Sequence, residues 1–152
     1  MLRLRLIYKV KINIRYWGEF VLSILIISHS DKIAEGTKIL ASQMMQAPLD
    51  IRAIGGTADG DIGTDVDAIE KAIKDINKED GVLVLADLGS AVMSFDMVYE
   101  WLDDEVKAKI RLADAPLVEG AVMGAVEASL GKDMEAVLKT IESREIIKKN
   151  NS

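Results

Sequence analysis

The sequence predicts an α/β fold: an open, mainly parallel four-stranded sheet with helices on both faces. Two nearly continuous apolar runs, residues 22–27 (LSILII) and 81–86 (GVLVLA), have the composition of strands covered on both sides. Strand patterns also alternate with helical segments of ten or more residues, the connection that parallel strands require and that folds into right-handed crossovers. The length of 152 residues, 49% of them hydrophobic, suits a single domain able to bury its own core.

The elements follow in order. From Leu2 to Tyr16 every even position is apolar and most odd positions are polar, the period-2 signature of a half-buried strand. No unbroken apolar run follows the charges, so the stretch is neither a secretory signal nor a membrane span. Two readings stand for residues 1–20: a basic strand adding to a sheet edge, or a mis-called extension. The second expects translation to begin near Val21, because the Lys, Ile, Asn, Tyr and Phe content fits an AT-rich leader and Trp17-Gly18-Glu19 fits a purine run like a ribosome-binding site. Intact mass of the natively expressed protein decides between them. Residues 21–147 form the expected domain and 148–152 a tail.

Within that domain, residues 22–27 form the first strand, broken by Ser28-His29-Ser30-Asp31. Residues 33–45 read as a helix with Ile33, Leu40 and Met44, together with Ala34 and Ala41, facing inward, and Pro48 stops it. Residues 49–54 are the second strand, followed by a glycine-rich loop over 55–63. Thr64 and Asp67 approximate a capping box ahead of a helix whose inward residues are Ile69, Ile73 and Ile76. Residues 81–86 are the third strand, and 91–102 a helix with Val92, Phe95, Val98 and Tyr99 on one face. A brief fourth strand at 110–113 ends in Asp114-Ala115-Pro116. Helices at 119–130 and 133–147 complete the chain, with Asp133 able to cap the second.

Composition narrows the chemistry. The absence of cysteine removes disulfides, thiolate metal sites and cysteine nucleophiles, and fits a cytoplasmic setting; a single histidine removes multi-histidine metal centres. The net charge of −6 divides unevenly: residues 1–20 hold five basic groups against Glu19, leaving 14 basic and 24 acidic residues, a net of −10, in the remainder. Such an acidic body is not a general nucleic-acid binder, and it favours partners with basic docking faces.

In open parallel sheets ligands sit at the carboxyl ends of the strands. Those ends carry Ser28-His29-Ser30, Gly55-Gly56-Thr57, Asp87-Leu88-Gly89-Ser90 and Asp114-Ala115-Pro116. The only histidine thus falls on the functional rim, ahead of a helix whose N-terminal amides favour an anion. Imidazole is nucleophilic at neutral pH and its N-phosphoryl derivative transfers readily, so His29 suits a phosphoryl relay; a solvated loop histidine is the plainer alternative. Asp87 is placed to accept a hydrogen bond from one ring nitrogen and leave the other to react, against a plainer role in capping the helix that follows. The glycine-rich loop lacks the Gly-Lys-Ser/Thr ending of a phosphate-binding loop. Asp59, Asp61, Asp65 and Asp67 lack the glutamate of a calcium loop and read as a solvated face. Met44, Met93, Met97 and Met123 read as packing residues.

Five segments in order then carry a resemblance: Ile26-Ile27-Ser28-His29-Ser30 with Ala34-Glu35-Gly36, Ala53-Ile54-Gly55-Gly56, Ile62-Gly63-Thr64, Asp87-Leu88-Gly89-Ser90-Ala91, and Ala115-Pro116-Leu117-Val118-Glu119-Gly120-Ala121. Over residues 21–141 the chain resembles the DhaM family, phosphocarrier subunits of the phosphotransferase-system (PTS) dihydroxyacetone kinase, related in fold to mannose-type enzyme IIA (EIIA) domains. The resemblance implies a mannose-type EIIA-like sheet and a phosphotransferase subunit in which His29 takes a phosphoryl group from phospho-HPr, through Nε2. His29 then gives it to ADP held on the partner DhaL, for phosphorylation of dihydroxyacetone on DhaK. Asp87 matches the aspartate beside the histidine in that fold, and Ser30, Thr64 and Ser90 are candidate donors to the phosphate. The resemblance implies no cofactor of the chain's own, since ADP and ATP reside on DhaL, no metal, a homodimer, free HPr as donor, and neither a nucleic-acid nor a membrane partner. Two alternatives are an EIIA domain serving a mannose-family sugar permease and a non-catalytic flavodoxin-like binding module. Against the first, mannose-type domains usually continue Gly-Gly-Ser-Pro after the aspartate, whereas this chain runs Leu88-Gly89-Ser90-Ala91.

Overall fold

The computed structural model describes residues 20–150, so the alternating basic stretch at 2–16 lies outside the described residues. The elements are β1 (Ser23–Ser28), α1 (Asp31–Met44), β2 (Ile51–Gly55), α2 (Val66–Asp75), β3 (Val82–Ala86), α3 (Gly89–Trp101), α4 (Asp104–Lys107), β4 (Ile110–Leu112), α5 (Leu117–Ser129), α6 (Met134–Ile141) and a 3-10 turn (Arg144–Ile147).

The four strands are all parallel in the order β2-β1-β3-β4. Chain order therefore reverses direction between β1 and β3, which makes the gap between their carboxyl ends the topological switch point, where open α/β sheets form clefts. Ile27 of β1 lies level with Ala86 of β3, and the ladder continues one step as the Asp87 N–H donates to the Ile27 carbonyl at 3.2 Å. The residues just past the two strands, His29 and Asp87, are thereby brought side by side.

All six residues of β1 are buried because alternate side chains enter opposite layers. Leu22, Ile24 and Ile26 pack with α1, α5 and α6, while Leu25 and Ile27 pack with α2 and α3. Each such fully buried aliphatic side chain contributes about 1.5–3 kcal/mol. The α2–α3 layer uses large residues (Ile69, Ile73, Phe95, Val98), and the α1–α5 layer uses small ones (Ala34, Ala41, Ala121, Ala125, Ala128). The small residues permit close approach: a Cβ at Gly120 or Gly124 would stand 2.8 Å from Leu85 Cδ1 or 2.9 Å from Leu83 Cδ2, so α5 rests directly on β3.

That packing corrects several expectations. In α1 the inward residues are Ala34, Thr37 and Ala41, and Ile33, Leu40 and Met44 stand roughly half exposed, at 50%, 46% and 48%. A helix seated this tightly on α5 has no room for large side chains at its centre line, so they turn to the flank. Met93 and Met97 are likewise exposed, at 70% and 51%, and only Met123 of the four methionines packs against the core. The cap of α2 is Asp65, which accepts from Ala68 N–H at 3.1 Å, and not Thr64. The helix expected over 133–147 ends at Ile141 and resumes as the 3-10 turn; Asp133 does cap it, accepting from Ala136 N–H at 2.9 Å. The one-turn helix α4 has too few residues to show a period in the sequence.

Candidate functional site

His29 follows β1 directly, and its neighbour Ser30 caps α1, accepting from Ile33 N–H at 3.4 Å. The turn is pinned by loop 55–63: Gly63 N–H donates to the His29 carbonyl at 2.9 Å. A Cβ on Gly55 would come within 2.4 Å of the Ser30 carbonyl oxygen, so only glycine lets the end of β2 pass beneath this turn.

The imidazole lies between two side chains from the β3–α3 segment. Its Nδ1 is 2.8 Å from Asp87 Oδ1, and its Nε2 meets the Ser90 hydroxyl in the first turn of α3. The His29 and Asp87 side chains are 18% and 15% exposed, which shields the pair while leaving access from the rim. Asp87 accepts four hydrogen bonds. Oδ2 takes the Ser28 hydroxyl at 2.7 Å and the His29 backbone N–H at 3.0 Å, and Oδ1 takes the Leu88 N–H at 2.7 Å as well as the imidazole. Burial pushes this carboxyl up, but the bonds from Ser28, from the His29 backbone and ring, and from Leu88 together outweigh it and hold Asp87 below its ordinary value. An ionised carboxylate only accepts, so the hydrogen-bond network assigns the proton to Nδ1 and the lone pair to Nε2.

Around Nε2 the setting favours an anion. Leu88, the N-cap position of α3, supplies no side-chain cap, so the N-terminal end of that helix is open beside Ser90. The Ser30 hydroxyl is engaged in capping α1, and the Thr64 hydroxyl pairs with Ser94 at 2.7 Å, one turn further along α3 than Ser90. Of the five residues singled out in the sequence, the structure thus joins His29, Asp87 and Ser90 directly and places Ser30 and Thr64 in supporting bonds. Among the described residues no group of three or more His, Asp or Glu side chains could hold a metal ion. Ser28, buried and bonded to Asp87, is a further site residue beside those five. Its only sequence signal is a polar residue ending an apolar strand.

The family model EIIA-man, described as the PTS system fructose IIA component, matches residues 23–138. A Listeria innocua protein, PEP-dependent dihydroxyacetone kinase 2 phosphoryl donor subunit DhaM, is 36% identical over 80% of this chain and 97% of its own length. The chain belongs to the DhaM branch of the EIIA-man family. The Escherichia coli DhaM is 38% identical, and there the match covers 78% of this chain and 26% of the longer relative, about a quarter of its length. Among solved structures, the crystal structure of a protein of unknown function superposes with a TM-score of 0.74 at 35% identity, covering 81% of this chain and 94% of that one. The family match takes in β1 through most of α6, and so all of the site built around His29.

Proposed function

We propose that the chain is the phosphoryl donor subunit of a PTS-dependent dihydroxyacetone kinase, carrying the phosphoryl group on His29 Nε2. The observation that carries this reading is the Asp87–His29–Ser90 line, which leaves Nε2 as the unprotonated nitrogen at the open end of α3.

In the loading step the Nε2 lone pair attacks the phosphorus of phosphohistidine on HPr. The new N–P bond forms as the donor's N–P bond breaks, and the donor imidazole keeps the released electron pair. No proton need leave His29, because Nδ1–H continues to donate to Asp87, whose negative charge offsets the positive charge arriving on the ring. The Ser90 hydroxyl turns from Nε2 to a phosphoryl oxygen, and the α3 N-terminus stabilises the charge. In the unloading step an ADP phosphate oxygen on DhaL attacks the phosphorus, the Nε2–P bond breaks, and the resulting ATP phosphorylates dihydroxyacetone on DhaK. Phosphoryl transfer of this kind depends on alignment and electrostatics, so the carrier works without a cofactor or metal of its own. DhaL and DhaK are its proposed partners, with HPr as donor and a homodimer as the working form. Transfer among such proteins is a cytoplasmic chemistry, and among the described residues no helix is long and apolar enough to cross a membrane.

The test is reconstitution with enzyme I, HPr and phosphoenolpyruvate. The chain is expected to gain one acid-labile phosphate, about 80 Da, and to lose it when DhaL–ADP is added. No mass gain, or discharge only to a sugar-permease IIB protein, overturns the assignment.

A further inference from the structure

Ser28 is the last residue of β1 and is completely buried, at 0% exposure, in a strand otherwise built of Ile and Leu after its first residue. A hydroxyl in such a place needs partners. It has two, and they differ in kind: Ser30 N–H donates to Ser28 Oγ at 3.1 Å, and Ser28 Oγ lies 2.7 Å from Asp87 Oδ2. The first contact can only give a proton to the serine oxygen, so the serine's own proton points to the carboxylate. The direction of the chain Ser30 N–H to Ser28 O–H to Asp87 is therefore fixed by the backbone.

This matters because Asp87 has two oxygens and one imidazole to serve. Oδ2 is held by the Ser28 hydroxyl and the His29 backbone N–H, which leaves Oδ1 turned toward Nδ1 at 2.8 Å. We propose that Ser28 is a positioning residue of the phosphoryl-transfer site. By donating to Asp87 Oδ2 it fixes the rotation of the carboxylate so that the other oxygen stays aimed at the imidazole, and so holds His29 in the Nδ1–H tautomer that leaves Nε2 free to react. The proposal rests on Nε2 being the phosphoryl acceptor. Among the described residues His29 is the one titratable group hydrogen-bonded to Asp87; the other donors are the Ser28 hydroxyl and backbone N–H groups, and no lysine or arginine stands in for the serine. Without Ser28, burial acts on a carboxylate that has lost one of the bonds opposing it.

Ser28→Ala removes the donor, and Ser28→Thr keeps it while adding a methyl group that strands accept. His29 is the only histidine in the sequence, so protein labelled with 15N-histidine gives one pair of ring-nitrogen signals and the tautomer is read directly. Wild type is expected to show a protonated Nδ1 and a bare Nε2. Ser28→Ala is expected to show mixed tautomers and a roughly tenfold lower kcat for phosphorylation by phospho-HPr with KM unchanged, and Ser28→Thr to restore both. Should Ser28→Ala fail to fold by circular dichroism, Ser28→Cys keeps the volume with a much weaker donor and carries the same expectation. An unchanged ring spectrum in the folded Ala or Cys variant overturns the proposal, as does a loss of rate that Thr fails to rescue. A wild-type chain that shows the expected tautomer and never takes phosphate overturns the carrier reading instead, so the two failures are distinct.

Discussion

Two aspartates stand at opposite ends of the parallel sheet, and both are held below the ordinary carboxylate value of 3.8. Asp50, just before β2 at the amino end, owes this first to the Arg52 side chain, 2.6 Å away from Nε to Oδ1, and further to the Asn77 N–H at 3.1 Å. Asp87, at the carboxyl end of β3, sits where burial works against it and hydrogen bonds prevail. Asp50 ties the chain after α2 to the start of β2 and faces a guanidinium that never gives up its proton. Asp87 faces an imidazole, a side chain that can act as a nucleophile. A carboxylate held in its charged form is thus no sign of function by itself; what its partner can do next decides the matter.

Removing the partner gives the largest effect. His29→Ala is expected to abolish retained phosphate altogether, read as the absence of the added mass, whereas Arg52→Ala leaves phosphorylation at the wild-type level. If the His29→Ala variant still carries acid-labile phosphate, the contrast between the two ends collapses.

Next comes the carboxylate itself. Asp87→Asn keeps the shape but brings an NH₂ group against the two donors that face one of its oxygens, and the rate of phosphorylation is expected to fall by about 100-fold or more in single-turnover assays. The corresponding Asp50→Asn should leave that rate alone and lower Tm by a few degrees in calorimetry. A rate loss shared equally by both variants would show that the site senses general loosening of the sheet rather than the imidazole contact.

A smaller effect sharpens the electrostatic side. Both carboxyls have folded-state values below their unfolded ones, so each adds stability that is complete above the ordinary value of 3.8 and is lost as pH falls through the lowered folded-state value. The wild-type chain is expected to lose stability steadily from about pH 4 downward. Each Asn variant should flatten that slope, and the double variant should flatten it nearly additively, since the two sites share no partners. Denaturant titrations at several acidic pH values measure the slopes, and an unchanged slope in either variant contradicts the assignment of that group.

Much of this architecture was legible in the sequence because strand and helix periods are local properties. The runs at 22–27 and 81–86 had few other fates, and with strand ends located, His29 and Asp87 fell on one rim. The inward face of α1 was not legible: Ile33, Leu40 and Met44 outrank Ala34 and Ala41 in hydrophobicity, and only the glycines and alanines of α5, more than 70 positions later, make the small residues the better fit. Thr64 does not cap α2, for a similar reason. Its hydroxyl had a neighbour at hand, Ser94, that no local pattern reveals.

The sequence by itself determined the α/β alternation, the acidic body and a lone histidine at the end of the first strand, since each depends on residue type and spacing along the chain. The tertiary structure alone decided that β1 lies beside β3, which brings Asp87 and Ser90 to the two ring nitrogens across separations of 58 and 61 residues. It also decided that Ser28 is aimed at the carboxylate. Pairing order and hydroxyl direction are set by the packing of all layers at once, and for that reason they have no signature in any single stretch of chain.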